Sequence, residues 1–404
     1  MSLIKTTCCV VGGGPAGMML GFLLARAGVS VVVLEKHADF LRDFRGDTVH
    51  PSTLEVMREL GLLEEFLALP HSTVREISLQ IGEDHLKIGD FEHLPAHCKF
   101  IALMPQWDFL NFIAAHAARY PGFDLRMCAE ATDLVHENGR VIGVRANAPE
   151  GEIEIQADLT VGCDGRHSTL RRCAGLTVEN LDAPMDVMWF RVSRKTTDPA
   201  DFVAHVEGGR MLVMLNRGDY WQGAYVIRKG SAEAVQRAGL DDFRAGVGDM
   251  APYLRNRLGE IDTWEKVKLL TVEVDRLSRW ARPGLVCIGD AAHAMSPIGG
   301  VGINLAIQDA VAAANILAEP LRRRAVSLET LDKVQQRREF PARVTQRVQI
   351  LIQENIIGPA LADKTRRPKA PLLMKAMQWP LLRRIPGRLL ALGVRPEHIH
   401  ATRA

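Results

Sequence analysis

Near the start of the chain, the residues best placed to do chemistry are Gly12-Gly13-Gly14-Pro15-Ala16-Gly17 and, further on, the acid Glu35. Glycines at the head of an apolar helical run point to anion binding by main-chain amides, helped by the positive end of the helix dipole. Gly12 permits a tight turn, Gly14 lets the backbone approach a pyrophosphate, and Gly17 lets the helix lie close on a strand. Pro15 and Ala16 belong to the same loop. Glu35 can accept hydrogen bonds from both hydroxyls of a ribose, and its charge opposes a 2′-phosphate. These residues call for FAD or NAD rather than NADP, and do not choose between the first two.

The elements that must position them are legible as one βαβ unit. Residues 6–11 read as a buried strand that stops at glycine, and the apolar helix after the loop ends at Gly28. Residues 29–34 form a second strand, apolar throughout as in a parallel sheet covered on both faces. Two later strands also end in acid-and-glycine turns. Residues 158–163 run into Asp164-Gly165, with Ser168 and Arg171 beyond, and residues 285–288 run into Gly289-Asp290. Pro297 and then Gly299-Gly300-Val301-Gly302-Ile303-Asn304 follow, leading into an amphipathic helix with Ile303, Ile307, Val311 and Ala314 on one stripe.

With these motifs in this order, the chain resembles the FAD-dependent aromatic hydroxylases, the single-component flavoprotein monooxygenases typified by p-hydroxybenzoate hydroxylase. The resemblance covers about residues 4–320. It implies an α/β fold: a Rossmann-like FAD-binding domain with an inserted, mainly antiparallel β-sheet substrate domain and a C-terminal helical segment. It implies that Asp290 hydrogen-bonds the ribityl chain of FAD and that Asp164 supports the pyrophosphate region. It also implies that Arg45 reaches the phosphates, that Gln106 contacts the flavin side, and that Pro297 with the Gly300–Asn304 backbone (Gly300, Gly302, Ile303, Asn304) borders the ring. Val301 departs from the family pattern, which commonly has glutamine there. Independently of the family, a reduced flavin carries negative charge near N1 and O2, which amides at a helix start near Ile303 would stabilise. His293 is read as a structural histidine rather than a proton-transfer group.

The rest of the chain is read more coarsely. A hairpin is expected over residues 74–88, and strands at 185–192, 202–207, 211–215 and 220–227 suggest an antiparallel sheet with one face covered. The expected division is 1–73, 98–178 and 278–320 for FAD, 74–97 and 179–277 for substrate, and a helical segment over 321–404. Trp189, Arg191, Trp221 and Tyr225 are candidates for the substrate wall, but strand parity alone does not say which of them face the flavin.

Composition sets outer bounds. With 404 residues, 47% hydrophobic, 24% charged and net charge +2, nothing demands nucleic acid. From residue 321 on, Lys and Arg outnumber Asp and Glu roughly threefold. That tail is expected to pack on its own domain, with peripheral membrane contact or a homodimer contact as the alternatives to a monomer. Cys8, Cys9, Cys163 and Cys287 sit in apolar runs without CxxC spacing, which suits reduced thiols in a cytoplasmic protein. The apolar stretch 8–25 contains the glycine turn, which a signal helix would not, and no other run reaches transmembrane length. The resemblance implies an enzyme that uses NADH or NADPH and molecular oxygen to hydroxylate an aromatic or polycyclic small molecule through a flavin C4a-hydroperoxide. No metal is expected and no catalytic base is named. A quinone-pathway hydroxylase, a halogenase or a reductase of the same fold is the alternative, and a flavin-binding regulator without turnover is the rival of another class.

Overall fold

A computed structural model describes residues 2–41, 48–81, 84–199, 203–207, 209–362, 379 and 382–400. Arg45 and Phe202 lie outside the described residues, as does most of the stretch 363–381. The α/β class expected from the sequence is the one the chain adopts. Strands Leu285–Cys287, Gly151–Gly162, Ser2–Val11, Val31–Leu34 and Phe123–Arg126 lie side by side in that order, all parallel. The hairpin of Glu130–Glu137 and Arg140–Ala148 pairs on the strand Gly151–Gly162.

Alternation within the strands sends side chains to two cores. Cys8, Val10, Val31, Val33 and Val161 face the helices Pro15–Arg26, Gln106–Ala117 and Gly302–Arg322, while Cys9, Val11, Val32 and Leu34 face the hairpin. Both faces are buried, which is why the strands read as unbroken apolar runs. Ile303, Ile307, Val311 and Ala314 are all buried, as their stripe requires. The segment Ile298–Arg322 is long and apolar enough to cross a membrane, contrary to the sequence reading, but most of it is buried inside the protein as a core helix is.

A second sheet of seven strands runs Lys268–Leu270, Met185–Ser193, Tyr220–Arg228, Arg210–Asn216, Val203–Glu207, Glu76–Ile81 and Asp84–Asp90. All neighbours are antiparallel except Val203–Glu207 with Glu76–Ile81. The expectation of one covered face needs correction. Met188, Phe190, Leu212, Met214 and Ile227 pack against the helical stretch 240–261, including Phe243 and Leu254. Met185, Val187, Ala224 and Val226 pack against Ile352, Ile357, Leu361 and Ile298. The neighbouring strands Met185–Ser193 and Tyr220–Arg228 are therefore buried on both sides. Of the tail, helix Arg384–Leu392 turns Gly387 and Ala391 inward and leaves Ile385 exposed, and Trp379 and Leu382 ahead of it are exposed as well.

One buried ion pair secures the far side of this sheet. Arg257 donates to both oxygens of Asp198 at 2.8 and 2.7 Å, and Trp221 Nε1–H donates to the same carboxylate at 2.9 Å. Burial pushes the Asp198 carboxyl up, but Arg257, the Lys195 amide and Trp221 outweigh it and hold the group well below the usual range. Asp198→Ala would leave Arg257 charged and buried without a counterion, with an expected loss of about 3–5 kcal/mol. Urea unfolding at pH 7 measures this; a loss no larger than that of an exposed pair would contradict it.

Candidate cofactor site

Main-chain pairing sets the site. Val11 lies opposite Leu34 and Gly162, and Gly162 lies opposite Cys287, so four strands end at one level. The three acid-and-glycine turns leave from these ends and touch one another. A Cβ on Gly12 would fall 2.3 Å from Cys163 O, and one on Gly289 would fall 3.1 Å from the Ala16 Cβ. Gly12 has φ +108° and Gly289 has φ +61°, both in the region that favours glycine. Gly17 carries the helix onto the loop so closely that a Cβ there would fall 1.9 Å from Gly12 O.

Glu35 organises this loop from the neighbouring strand. Its carboxylate accepts from the Gly13 amide and from the His37 amide, each at 3.0 Å. Gly14 differs from its neighbours: it is the N-cap of helix Pro15–Arg26, has φ −74°, and a Cβ on it would meet nothing within 4 Å. Gly302, in the first turn of the long helix, is open in the same way. Neither helix start has a side-chain cap or an acid in its first turn, so their leading amides are available to an anion.

Asp164 spends its carboxylate locally. It accepts from Ser168 Oγ at 2.5 Å and from the Leu170 amide at 3.1 Å, shaping the turn after Gly165. Burial raises its pKa, opposed by these bonds. Asp290 is more open and lies 3.9 Å from the Arg166 guanidinium. Behind it is a set of buried charges that sequence reading did not connect. Asp309 accepts from the Gly289 amide at 3.1 Å and from His293 Nε2 at 2.5 Å, while its other oxygen takes Arg338 Nε at 2.8 Å. Arg338 continues to Glu397 at 3.1 Å. Burial opposes ionisation of Asp309, but His293 and Arg338 together draw its pKa below the usual carboxylate range. For His293, burial lowers the pKa and Asp309 raises it, the net effect being upward. His293 thus sits in a buried pair that braces the Gly289-Asp290 turn.

The second glycine loop is knitted to the strand Thr48–Val49. Asn304 Oδ1 accepts from the His50 amide and Thr53 Oγ1, both at 2.8 Å, and its Nδ2 donates to Thr48 O at 3.0 Å and Gly300 O at 3.2 Å. The Asn304 side chain is fully used within the protein, leaving only its backbone to border a ligand. Ile303 is buried and Pro297 half-buried at the head of the loop. Thr48 also pairs across to Leu103, three residues before Gln106, which opens helix Gln106–Ala117. His50 is buried: its Nδ1–H donates to Leu390 O at 2.8 Å and its Nε2 has no hydrogen-bond partner among the described residues. Arg45 lies outside the described residues.

The substrate candidates divide by parity. Ile298, in the loop before the second glycine cluster, packs with Met185, Val187, Ala224 and Val226, and with half-buried Trp189, Met211 and Val213. Trp189 and, by strand alternation, Arg191 share that face; Arg191 is exposed, with its guanidinium 3.9 Å over the Tyr220 ring. Trp221 and Tyr225 do not. Both are packed among Phe190, Phe243 and Val247 on the opposite face, so they are core residues away from the loop. Met211, Val213, Ala224 and Val226 lie with Trp189 on the face that meets Ile298. The alternation was visible in the sequence, but its phase is set by what packs on each side.

Gly14→Ala has room and an ordinary φ, so the ligand-free protein should melt as the parent does while dinucleotide affinity falls at least about tenfold. Gly12→Ala combines positive φ with a main-chain collision and should lower the melting temperature itself; the reverse ranking would refute the assignment. Burial lowers the His50 pKa from 6.5 to about 4, partly opposed by the Leu390 carbonyl. The folded state thus favours neutral His50, so this contribution to stability is whole above pH 6.5 and fades as pH falls towards 4. Denaturation should show about 2 kcal/mol of loss by pH 5 that His50→Gln lacks; equal pH slopes would refute it.

Residues 5–348 match the model of the FAD binding domain family. The chain is 32% identical over 374 residues to 6-methylpretetramide 4-monooxygenase of Streptomyces rimosus, covering 91% of this chain and 88% of that protein. Among solved structures it is similar to the OxyS anhydrotetracycline hydroxylase of Streptomyces rimosus (TM-score 0.76, 22% identity, 98% of this chain and 77% of that one). It is also similar to PqsL of P. aeruginosa in complex with 2-aminobenzoylacetate (TM-score 0.77, 20% identity, 89% and 98%). The chain belongs to the FAD binding domain family, among its FAD-dependent aromatic monooxygenases.

Proposed function

We propose that this chain hydroxylates a polycyclic aromatic small molecule, using FAD, molecular oxygen and NADH or NADPH as reductant. The observation that carries the reading is the meeting of three acid-and-glycine turns at one sheet edge, opposite a second glycine loop. The residues present fit FAD. Two uncapped helix starts, each with a glycine whose Cβ would meet only open space, suit a pyrophosphate and an anionic ring edge. Bound FAD supplies hydride acceptance and oxygen activation.

The chain's own residues then have distinct tasks. Amides of the Gly12–Gly17 loop, including Ala16, receive the pyrophosphate, and Glu35 takes the ribose while holding Gly13 in place. Asp164 shapes the turn beside the phosphates, and Asp290 takes the ribityl chain. Arg45 and Gln106 contribute phosphate and flavin contacts. Pro297 and the Gly300–Asn304 backbone line the ring. Residues 1–73, 98–178 and 278–320 act as the FAD unit, and 74–97 with 179–277 as the substrate unit. Substrate lies between the flavin loop and the sheet face bearing Trp189, Met211 and Val213, whose apolar character excludes water from the reacting centre. Only one nucleotide fingerprint is present in the sequence, so the reductant binds transiently. The relatives' names, 6-methylpretetramide and anhydrotetracycline, favour a polycyclic substrate.

The test is to load the purified protein with FAD and follow NADH and NADPH oxidation across polycyclic phenols and single-ring phenols. Product, oxygen consumed and peroxide released are measured together. Stimulated oxidation with hydroxylated product and little peroxide is expected for a polycyclic phenol. An FAD-loaded protein that oxidises neither reductant with any compound would overturn the reading in favour of a non-catalytic flavin binder.

A further inference from the structure

Helix Leu328–Ile352 presents three glutamines on one face, at positions 346, 349 and, in the turn beyond, 353. Spacings of three and four residues place them in one row along the helix. All three are at most 3% exposed, and all reach the loop that precedes the second glycine cluster. Gln346 Nε2 donates to Asp275 O at 2.7 Å and to Ala294 O at 2.9 Å. Gln349 Nε2 donates to Ser296 O and Ile298 O, both at 2.9 Å. Gln353 Nε2 donates to Ser296 Oγ at 2.8 Å.

The loop carbonyls that accept these bonds come from alternate residues, 294, 296 and 298, as along an extended strand. For Gln346 and Gln349 both acceptors are main-chain oxygens, so only the amide nitrogen can face the loop. Their own side-chain oxygens, Gln346 Oε1 and Gln349 Oε1, have no hydrogen-bond partner among the described residues. An amide that leaves its acceptor orphaned in order to donate twice is committed to the loop.

The same helix then reaches the other wall. A π-helical turn over Gln353–Ile357 leads into Gly358–Ala362, and such turns recur at functional sites. Ile352, Ile357 and Leu361 pack with Met185, Val187, Ala224 and Val226 on the sheet face that meets Ile298. One continuous element therefore holds the flavin loop by hydrogen bonds and the sheet face by apolar contact.

We propose that Gln346, Gln349 and Gln353 are positioning residues for the flavin. They set the height of Ala294–Ile298, and with it Pro297 and the glycines that follow, and they tie that height to the substrate-facing sheet. The inference rests on the FAD reading above. These side chains bond to the loop, so they act on the flavin through it.

Gln335 provides an internal control. It lies on the same helix and makes the same kind of bonds, donating to Ser278 O at 3.1 Å and accepting from the Trp280 amide at 2.9 Å, but it serves a different loop. Gln349→Leu, Gln353→Met and Gln335→Leu are compared with the parent for FAD dissociation constant, visible absorption of bound FAD, and melting temperature without FAD. Gln349→Leu should raise the dissociation constant by at least about tenfold and shift the flavin bands. Gln353→Met, which loses a single bond, should move both in the same direction by less, and it carries the test if Gln349→Leu does not fold. Gln335→Leu should leave both at parental values even where its melting temperature falls. Parental affinity and spectrum in Gln349→Leu and Gln353→Met, or equal changes in Gln335→Leu, would overturn the inference alone. A parent protein that binds no FAD would overturn the reading beneath it.

Discussion

Main-chain hydrogen bonds between parallel neighbours bring the carboxyl ends of Ser2–Val11, Val31–Leu34, Gly151–Gly162 and Leu285–Cys287 level. The Gly12 amide donates to Leu34 O at 2.8 Å, the Cys163 amide to Val11 O at 2.7 Å, and the Ile288 amide to Gly162 O at 3.0 Å. Each bond ties the last residue of one strand to the first turn residue of its neighbour. A slip of one residue in any pair would turn its apolar side chains to the wrong core and move one turn away from the others. The nucleotide site is thus a property of strand register first and of the glycines second.

Neither glycine loop carries a lysine, and each leads into a helix start without a side-chain cap, with the charged groups one layer back. Asp309 is the centre of that layer, with a histidine, an arginine and a main-chain amide on its two oxygens. An isolated carboxylate there would be expensive to bury, while one with three donors is well compensated. Rigidity around Gly289 comes from this compensation.

Local patterns were readable and distant ones were not. The glycine run, Glu35, Asp164-Gly165 and Gly289-Asp290 are contiguous signals whose geometry follows from a strand running into a turn, and the fold class followed from their order. Trp189, Arg191, Trp221 and Tyr225 lie on strands of one sheet, and strand alternation alone leaves open which of them share a face. Only the packing of Phe243 on one side and Ile298 on the other reveals that two of them face away. The Gly300–Asn304 backbone is the part expected to border the ring, and nothing in the sequence shows that the Asn304 side chain bonds to Thr48 and His50, residues far off in sequence. The glutamines of Leu328–Ile352 gave no signal, because a polar residue on a mostly polar helix looks solvent-facing until its partners are known.

The contact between Arg338 and Glu397 bears on how the molecule is made. The turn at Gly289 is braced by Asp309, Asp309 is neutralised by Arg338, and Arg338 shares its charge with Glu397, whose amide is held by Gln308. Glu397 is translated long after the first glycine loop, both sheets and the turn at Gly289. The brace on that turn is therefore complete only once this distant segment has folded back onto Arg338 and Gln308.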